Sequence, residues 1–429
     1  MVSVRTENKC CEDLGKSLTA STNAFQYVCK PTLFGTTERP NILGTDLQLQ
    51  RYGDLGKCAN KCAEFLAFKA ENERIFGGII LAAYLCGTNR SKPKDSNQTY
   101  NNMNTFGNRW RFTSFGESHG KAIGGVLDGV PAGIEIDISL IRNELSKRAG
   151  KQMSGVSARA VMEKDEVEWL SGVIEREGRL VSLGSPIAFL IRNTDARASD
   201  YNWALTSSSS VSESPKPLCR PGHADYTYEH KYGLRDYRGG GRSSARETAS
   251  RVVAGSIARQ VLTEKGVSIR AWLSQVGEET DPQRFDSLLK DVQQSGDSIG
   301  GIVSCEIEGV PVGIGEPIFG KFQSFLASAM LSINGCKGFD YGTGFSQMGK
   351  RGSELYKEGE VPCPKSGGIE GGISNGLPIC FRCVFKPAAT LTRIYKGRHD
   401  SCIAVRAVPV VEAMAALVVA DMIDLSLRD

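Results

Sequence analysis

The sequence predicts an α+β fold on three observations. Hydrophobic residues recur with period two in some segments and near 3.6 in others, so strands and helices both occur. The two kinds follow one another without a regular βαβ rhythm, which disfavours a doubly wound parallel sheet. The last apolar run, from Val408, reads as a long and largely buried terminal helix.

Taken in order, residues 1–105 are weakly periodic and rich in Cys, Asn and Thr, and they run into the polar stretch "GTNRSKPKDSNQTYNNMNT". That stretch reads as a linker, so a boundary near residue 105 separates an N-terminal extension of unknown function, 1–105, from the main domain, 106–429. "RWRFTSF" alternates, with Trp110, Phe112 and Ser114 on one face, and predicts a strand leading directly into "FGESHGKAIGG", 115–125. "ISLIRNELSKRAG" places Ile138, Ile141 and Leu145 at helical spacing and stops at Gly150, a glycine C-cap. "LVSLGSPIAFLIRN", 180–193, has strand character, and "SSSSVSESPKP", 207–217, reads as a polar loop. The strongest helical pattern runs from Ser244 to about Lys265 and is closed by Gly266. "GGIVSCEIEGVPVGIG", 300–315, predicts strand, turn, strand; "FGKFQSFLASAMLSI" predicts a helix; "LPICFRCVFKP", 377–387, predicts a strand. No internal repeat is present.

A chain of 429 residues, 40% hydrophobic and 23% charged, can bury a large core as two domains or as one large domain with an appendage. The net charge of +4, from 52 basic and 48 acidic residues, gives no case for a nucleic-acid partner. Six of the 13 cysteines precede residue 90, and the Cys58/Cys62 and Cys380/Cys383 pairs lack a matching second pair with histidine at metal-site spacing. No metal site is expected, and reduced thiols in a cytoplasmic protein are. The start has no apolar core, while Glu7, Glu12 and Asp13 argue against a transit peptide. The longest apolar run, 75–87, is 13 residues, short of the ~20 that span a bilayer, so no membrane association is expected.

Chemistry concentrates in a few places. "FGESHG" sets His119, one of four histidines, between Ser118 and a glycine. The plain reading is a turn with an incidental histidine; the functional one is an imidazole that donates a proton near neutral pH. "RPGHADYTYEHKYGLRDYRGGGRSSARETASR", 220–251, holds His223, His230 and six arginines and feeds glycines 239–241 into a helix start. There Ser244 and Glu247 match a capping box, and Arg242 and Arg246 beside a helix N-terminus could hold an anion. A well-capped surface helix is the alternative, but so many clustered arginines repel one another unless an anionic ligand relieves them. His230, between Glu229 and Lys231, reads as solvated. "KGRHDSC" adds Arg398 as an anion contact and Asp400 as a proton acceptor or relay, or else a surface turn with an Arg–Asp pair. "SINGCKG" and "SGGIEGGISNG" carry glycines that let backbone pack on a flat ligand.

Together "FGESHG", "RPGHADYTYEHKYGLRDYRGGGRSSARET", "GGIEGGISNG" and "GRHDSCIAVRAVPVVEAM" resemble the chorismate synthase family, in order, over roughly residues 106–425. The resemblance implies a β-α-β sandwich with a helical core between antiparallel sheets, assembled as a homotetramer. It implies a carbon–oxygen lyase that eliminates phosphate 1,4 from 5-enolpyruvylshikimate 3-phosphate to give chorismate, with reduced FMN as cofactor and no net redox change. Residue by residue, His119 resembles the general acid at the departing phosphate, His223 the histidine beside the reduced flavin, and Asp400 the aspartate that helps relay the ring proton. Arg148, Arg220, Arg246, Arg398, Ser118 and Ser244 resemble the polar cage around substrate and cofactor. Ser243, Ala245, Asn334, Gly335, Lys386 and Thr390 match positions lining the flavin.

The chain departs from the family pattern after the first helix. Where the family usually carries an arginine-rich stretch, this chain reads "KRAGKQMSGVSARAVMEKD", with Arg148 kept, Ser154 in place of a later arginine and Arg159 as a candidate substitute for another. The segments 277–290 and Thr392 to Lys396 are shorter than usual. These departures leave open a second reading, a catalytically weakened or inactive flavin- or phosphate-binding relative. The first 105 residues carry no glycine-rich dinucleotide fingerprint, so reduced flavin would come from an external reductant.

Overall fold

The structure is a computed structural model that describes residues 104–150, 153–156, 162–197, 218–391, 393 and 400–426. The extension up to residue 103, the polar loop 207–217, Arg159 and Arg398 lie outside the described residues.

Two antiparallel sheets carry the fold. The first is built from β1 (Thr105–Phe106), β2 (Arg111–Phe115), β3 (Ala122–Asp128), β8 (Ile187–Arg192) and β5 (Val167–Ser171), in that spatial order. A small three-stranded sheet has the spatial order β4 (Glu135–Ile136), β7 (Arg179–Ser182), β6 (Val173–Arg176), with β7 central. The second main sheet runs β11 (Cys336–Tyr341), β14 (Ile379–Phe385), β10 (Gly301–Glu308), β9 (Ser268–Val276). A further hairpin pairs β12 (Ile369–Glu370) with β13 (Ile373–Ser374). Every strand pair among the described residues is antiparallel, in keeping with the α+β class.

Among the described residues the α-helices longer than four residues are α1 (Ile138–Ala149), α2 (Asp225–Tyr232), α3 (Thr248–Glu264), α4 (Pro282–Gln294), α5 (Phe322–Leu331) and α6 (Ala404–Ser426). α3 and α6 form the central layer: α3 packs on β2 and β3, and both helices pack on β9, with α6 also on β10. The apolar content of these two helices explains their place. Val252, Val253, Ile257 and Val261 of α3 and Val411, Leu417, Val418 and Val419 of α6 are buried, so each helix has apolar neighbours on more than one side. The pair cross where Gly255 meets Ala413, and a side chain on Gly255 would collide with the α6 backbone.

Buried carboxylates pin α6 to both sheets. Glu412 accepts from the Ala271 amide of β9 at 2.7 Å and from Arg259 at 2.8 Å. Asp421 accepts backbone amides of Asn108 (3.0 Å), Arg109 (2.5 Å) and Trp110 (2.9 Å). That carboxylate satisfies the β1–β2 turn, and so sets the direction in which β2 runs toward "FGESHG".

Most predicted elements are present. Trp110 and Phe112 are buried, and Ser114 is half-buried in β2. α1 begins where Asp137 accepts from the Ser139 and Leu140 amides, at 2.8 and 3.0 Å, and ends at Gly150 with φ 72°. Three expectations change. The 180–193 stretch divides into β7 and β8, in different sheets. The second strand expected within 300–315 is missing, because Pro311 has no amide to donate and the chain instead bonds Ser374 through Gly313 and Ile314, at 3.0 and 2.9 Å. The helix expected from Ser244 starts as a 3₁₀ turn, Ala245–Glu247, before α3. Its capping box does not form: Ser244 accepts from the Arg246 amide at 3.3 Å, while Glu247 turns to Arg251 at 3.0 Å. Among the described residues no helix is long and apolar enough to cross a membrane.

Candidate active site

The loop between β2 and β3 is a tight turn, closed by the Gly120 amide donating to Glu117 O at 2.9 Å. It carries Ser118 and His119, exposed by only 1% and 8%. The Ser118 hydroxyl lies 3.1 Å from His119 Nδ1. Burial pushes the neighbouring Glu117 carboxyl up, against the pull of Arg242.

The glycine run explains why these residues meet those of the 220–251 segment. Gly239, Gly240 and Gly241 all have positive φ, at 67°, 84° and 55°. A Cβ on Gly239 would stand 2.5 Å from His119 Cε1, one on Gly240 would strike His223 Cε1, and one on Gly241 would strike the Glu117 carboxylate. The run is therefore backbone held against both imidazoles, a path that residues with side chains cannot follow. Within the chain, what Gly239 and Gly240 approach is two histidines.

His223 belongs to a buried charged group. Asp225, 2% exposed, accepts from Arg220 Nε and NH2, both at 2.8 Å, and lies 3.6 Å from Arg235 NH1. Its Oδ1 is 2.9 Å from His223 Nδ1, and Arg220 NH2 is 3.0 Å from the same nitrogen. Burial opposes the Asp225 charge, yet the hydrogen bonds from Arg220 and His223 outweigh it and hold the carboxyl well below the usual carboxylate range.

These elements edge a cleft of about 500 Å³. Of the residues expected at the site, Arg220, His223, Ser243, Ser244, Ala245, Arg246, Asn334, Gly335, Lys386, Thr390 and Asp400 line it. Ser118 and His119 lie behind Gly239, which lines it as well. Arg148 stands one layer deeper, 1% exposed, donating to Thr248 Oγ1 at 3.0 Å and Ala245 O at 2.8 Å, with Asp165 at 3.3 Å. Burial, reinforced by Arg406, draws its guanidinium down to about 9, and Asp165 offsets part of that. Asp165 also pairs with Arg246, so one carboxylate supports two arginines.

Arg242 does not reach the cleft. It donates to Gly116 O at 3.1 Å and to the Ser114 carbonyl and hydroxyl, clamping the strand end that carries the His119 loop. His230 is exposed on α2 and stacks with Tyr226 at 5.9 Å. Ser154 faces α4 instead: its amide donates to Asp286 Oδ1 at 3.0 Å.

Several contributors went unnoticed in the sequence. Arg406 lines the cleft and pairs with Asp400 at 2.7 Å; it stood inside the quoted "CIAVRAV" motif. Lys337 joins Lys386 in the wall, and burial followed by Lys337 lowers the Lys386 ammonium. Asp225 follows His223 by two residues, a spacing that could have flagged it. Glu163 and Asp165 had no such signal.

The arrangement offers two imidazoles for proton handling and several cations for an anionic ligand. The family model described as chorismate synthase matches residues 110–423. A chorismate synthase of Christiangramia forsetii is 46% identical over 360 residues, covering 74% of this chain and 96% of that protein. Another, of Phocaeicola vulgatus, is 46% identical over 364 residues, covering 74% and 97%. A solved structure described as "Crystal Structure of Chorismate Synthase" superposes with a TM-score of 0.57 at 28% identity, over 75% of this chain and 93% of that one. Matching in sequence, in fold and over nearly the whole length of its relatives, the chain belongs to the chorismate synthase family.

Proposed function

We propose that the cleft carries out the family's reaction with reduced FMN and the residue roles given below. The protein is a carbon–oxygen lyase, a chorismate synthase, acting on a small molecule: phosphate leaves 5-enolpyruvylshikimate 3-phosphate in a 1,4-elimination that gives chorismate. One ring C–O bond and one ring C–H bond break, a ring C=C bond forms, and phosphate and a proton are released. The observation that carries the assignment of roles is the glycine backbone pressed between His119 and His223 at the rim of an arginine-edged cleft.

His119, with the Ser118 hydroxyl 3.1 Å from its Nδ1, protonates the departing phosphate. Arg220 and Arg246 bind the anionic groups of substrate and cofactor, with Ser244 as a further contact. Asp400, paired with Arg406, accepts or relays the ring proton. Arg398 resembles a further anion contact of the family.

The cleft residues fit a flavin. Asn334 Oδ1 is buried without a hydrogen-bond partner in the cleft wall, an acceptor suited to an N–H donor, and Lys337 and Lys386 offer positive charge nearby. Asn334, Gly335, Ser243, Ala245, Lys386 and Thr390 would hold the cofactor, with His223 beside it. When bound, reduced flavin supplies electron density to a reaction without net redox change. We further propose a cytoplasmic homotetramer fed by an external flavin reductant, with residues 1–105 as a separate extension.

The test is phosphate release by the purified protein with anaerobically reduced FMN and substrate. Release that His119→Ala abolishes is the expected result; no release above that variant would overturn the reading. Nothing favours the inactive alternative: Ser154 faces α4, not the cleft.

A further inference from the structure

We propose that Asn193 is a positioning residue that locks the His119 turn to Arg246, so that the proton donor and an anion-binding guanidinium are set by one side chain. The inference rests on the functional reading above. Asn193 directly follows β8, and its amide donates to Lys121 O at 3.1 Å, extending the β3–β8 ladder by one step beyond the Ala122–Arg192 pair. Its backbone is thus fixed by the sheet, and its side chain is free to serve something else.

That side chain reaches both ends of the turn. Nδ2 donates to Glu117 O at 3.1 Å and to Gly120 O at 2.9 Å, bracketing Ser118 and His119. Oδ1 accepts from Arg246 Nε at 2.8 Å. Two carbonyls require donors and a guanidinium requires an acceptor, so these partners dictate which way the amide points, and all three of its roles are filled. Aspartate has no donor for the carbonyls, and alanine has neither group.

Arg246 has a second anchor in Asp165, and the His119 turn has a second anchor in Arg242, which holds Gly116. Asn193 joins the two units. A turn released from Asn193 can shift relative to Arg246 without unfolding, and misplacement on the order of 1 Å costs about a hundredfold in rate.

Two variants separate the arms. Asn193→Asp keeps an acceptor for Arg246 and removes the donors to the turn, so kcat should fall about a hundredfold with KM close to wild type. Asn193→Ala removes both arms, and should lower kcat similarly while raising KM about two- to tenfold. Both are measured by phosphate release with reduced FMN, alongside thermal unfolding of the same samples. Wild-type kcat in either variant overturns the proposal, as does a loss of kcat that only tracks loss of folded protein. Should Asn193→Asp fail to fold, the split between kcat and KM in Asn193→Ala decides alone. A wild-type enzyme that releases no phosphate would instead overturn the functional reading, so the two failures are distinguishable.

Discussion

His119 and His223 face the same glycine run, yet His119 is held beside a hydroxyl and neutral backbone, and His223 by a buried charged group of Arg220, Arg235 and Asp225. The difference bears on what each ring can do. His119 Nδ1 lies 3.1 Å from the Ser118 hydroxyl, a group that can donate or accept. At His223, Asp225 Oδ1 and Arg220 NH2 both lie within 3.0 Å of Nδ1, so a proton there favours the carboxylate and its absence favours the guanidinium. One ring meets a hydroxyl at Nδ1, the other a carboxylate and a guanidinium.

The comparison can be broken most severely at Asp225. Asp225→Ala removes the carboxylate that faces buried Arg220, while Arg235 keeps Glu229 at 3.1 Å, and should cost about 3–5 kcal/mol in denaturant unfolding. The pH dependence has a definite sign. Because the folded-state pKa is depressed, the contribution is complete above the ordinary value near ~3.9 and is lost as pH falls below it toward the folded value. Asp225→Asn should therefore flatten the acid side of the stability profile, and an unchanged acid limb would count against the pairing.

Next in size are the glycines. Gly239→Ala places a methyl against the His119 ring at a positive φ, and should lower kcat on the order of a hundredfold. Gly240→Ala should disturb His223 instead, with strain of about 1–2 kcal/mol from its φ of 84° visible in the melting temperature. Equal kinetic signatures for the two would erase the proposed division of labour.

Ser118→Ala is gentler, since it removes one hydrogen bond to His119 worth about 0.5–1.5 kcal/mol, and kcat should fall two- to tenfold by the same phosphate assay. Smallest is His230→Ala: this exposed ring should change stability by no more than about 0.5 kcal/mol and leave turnover intact.

Much of the molecule was legible in the chain. β2, α1, β14 and α6 follow from periodicity and from caps such as Gly150, because those signals reach only a few residues along the sequence. The candidate residues were legible as types in motifs, and eleven of them line one cleft. What could not be read was each partner. Arg242 and Arg246 stand four residues apart in one motif, yet Arg242 binds the end of β2 and Arg246 binds Asp165 and Asn193. Ser244 and Glu247 satisfy the pattern of a capping box, but Glu247 finds Arg251 one turn later.

The sequence by itself determined the α+β class, the apolar central helices and a concentration of histidine, arginine and glycine suited to an anionic substrate, since these depend on composition and short-range spacing. Tertiary structure decided that Gly239 and Gly240 lie on the two imidazoles, that Asp421 of α6 satisfies the turn before β2, and that Asn193 ties the His119 turn to Arg246. Those contacts join residues tens to hundreds of positions apart, and packing of the two sheets on α3 and α6 is what brings their polar groups within hydrogen-bonding distance.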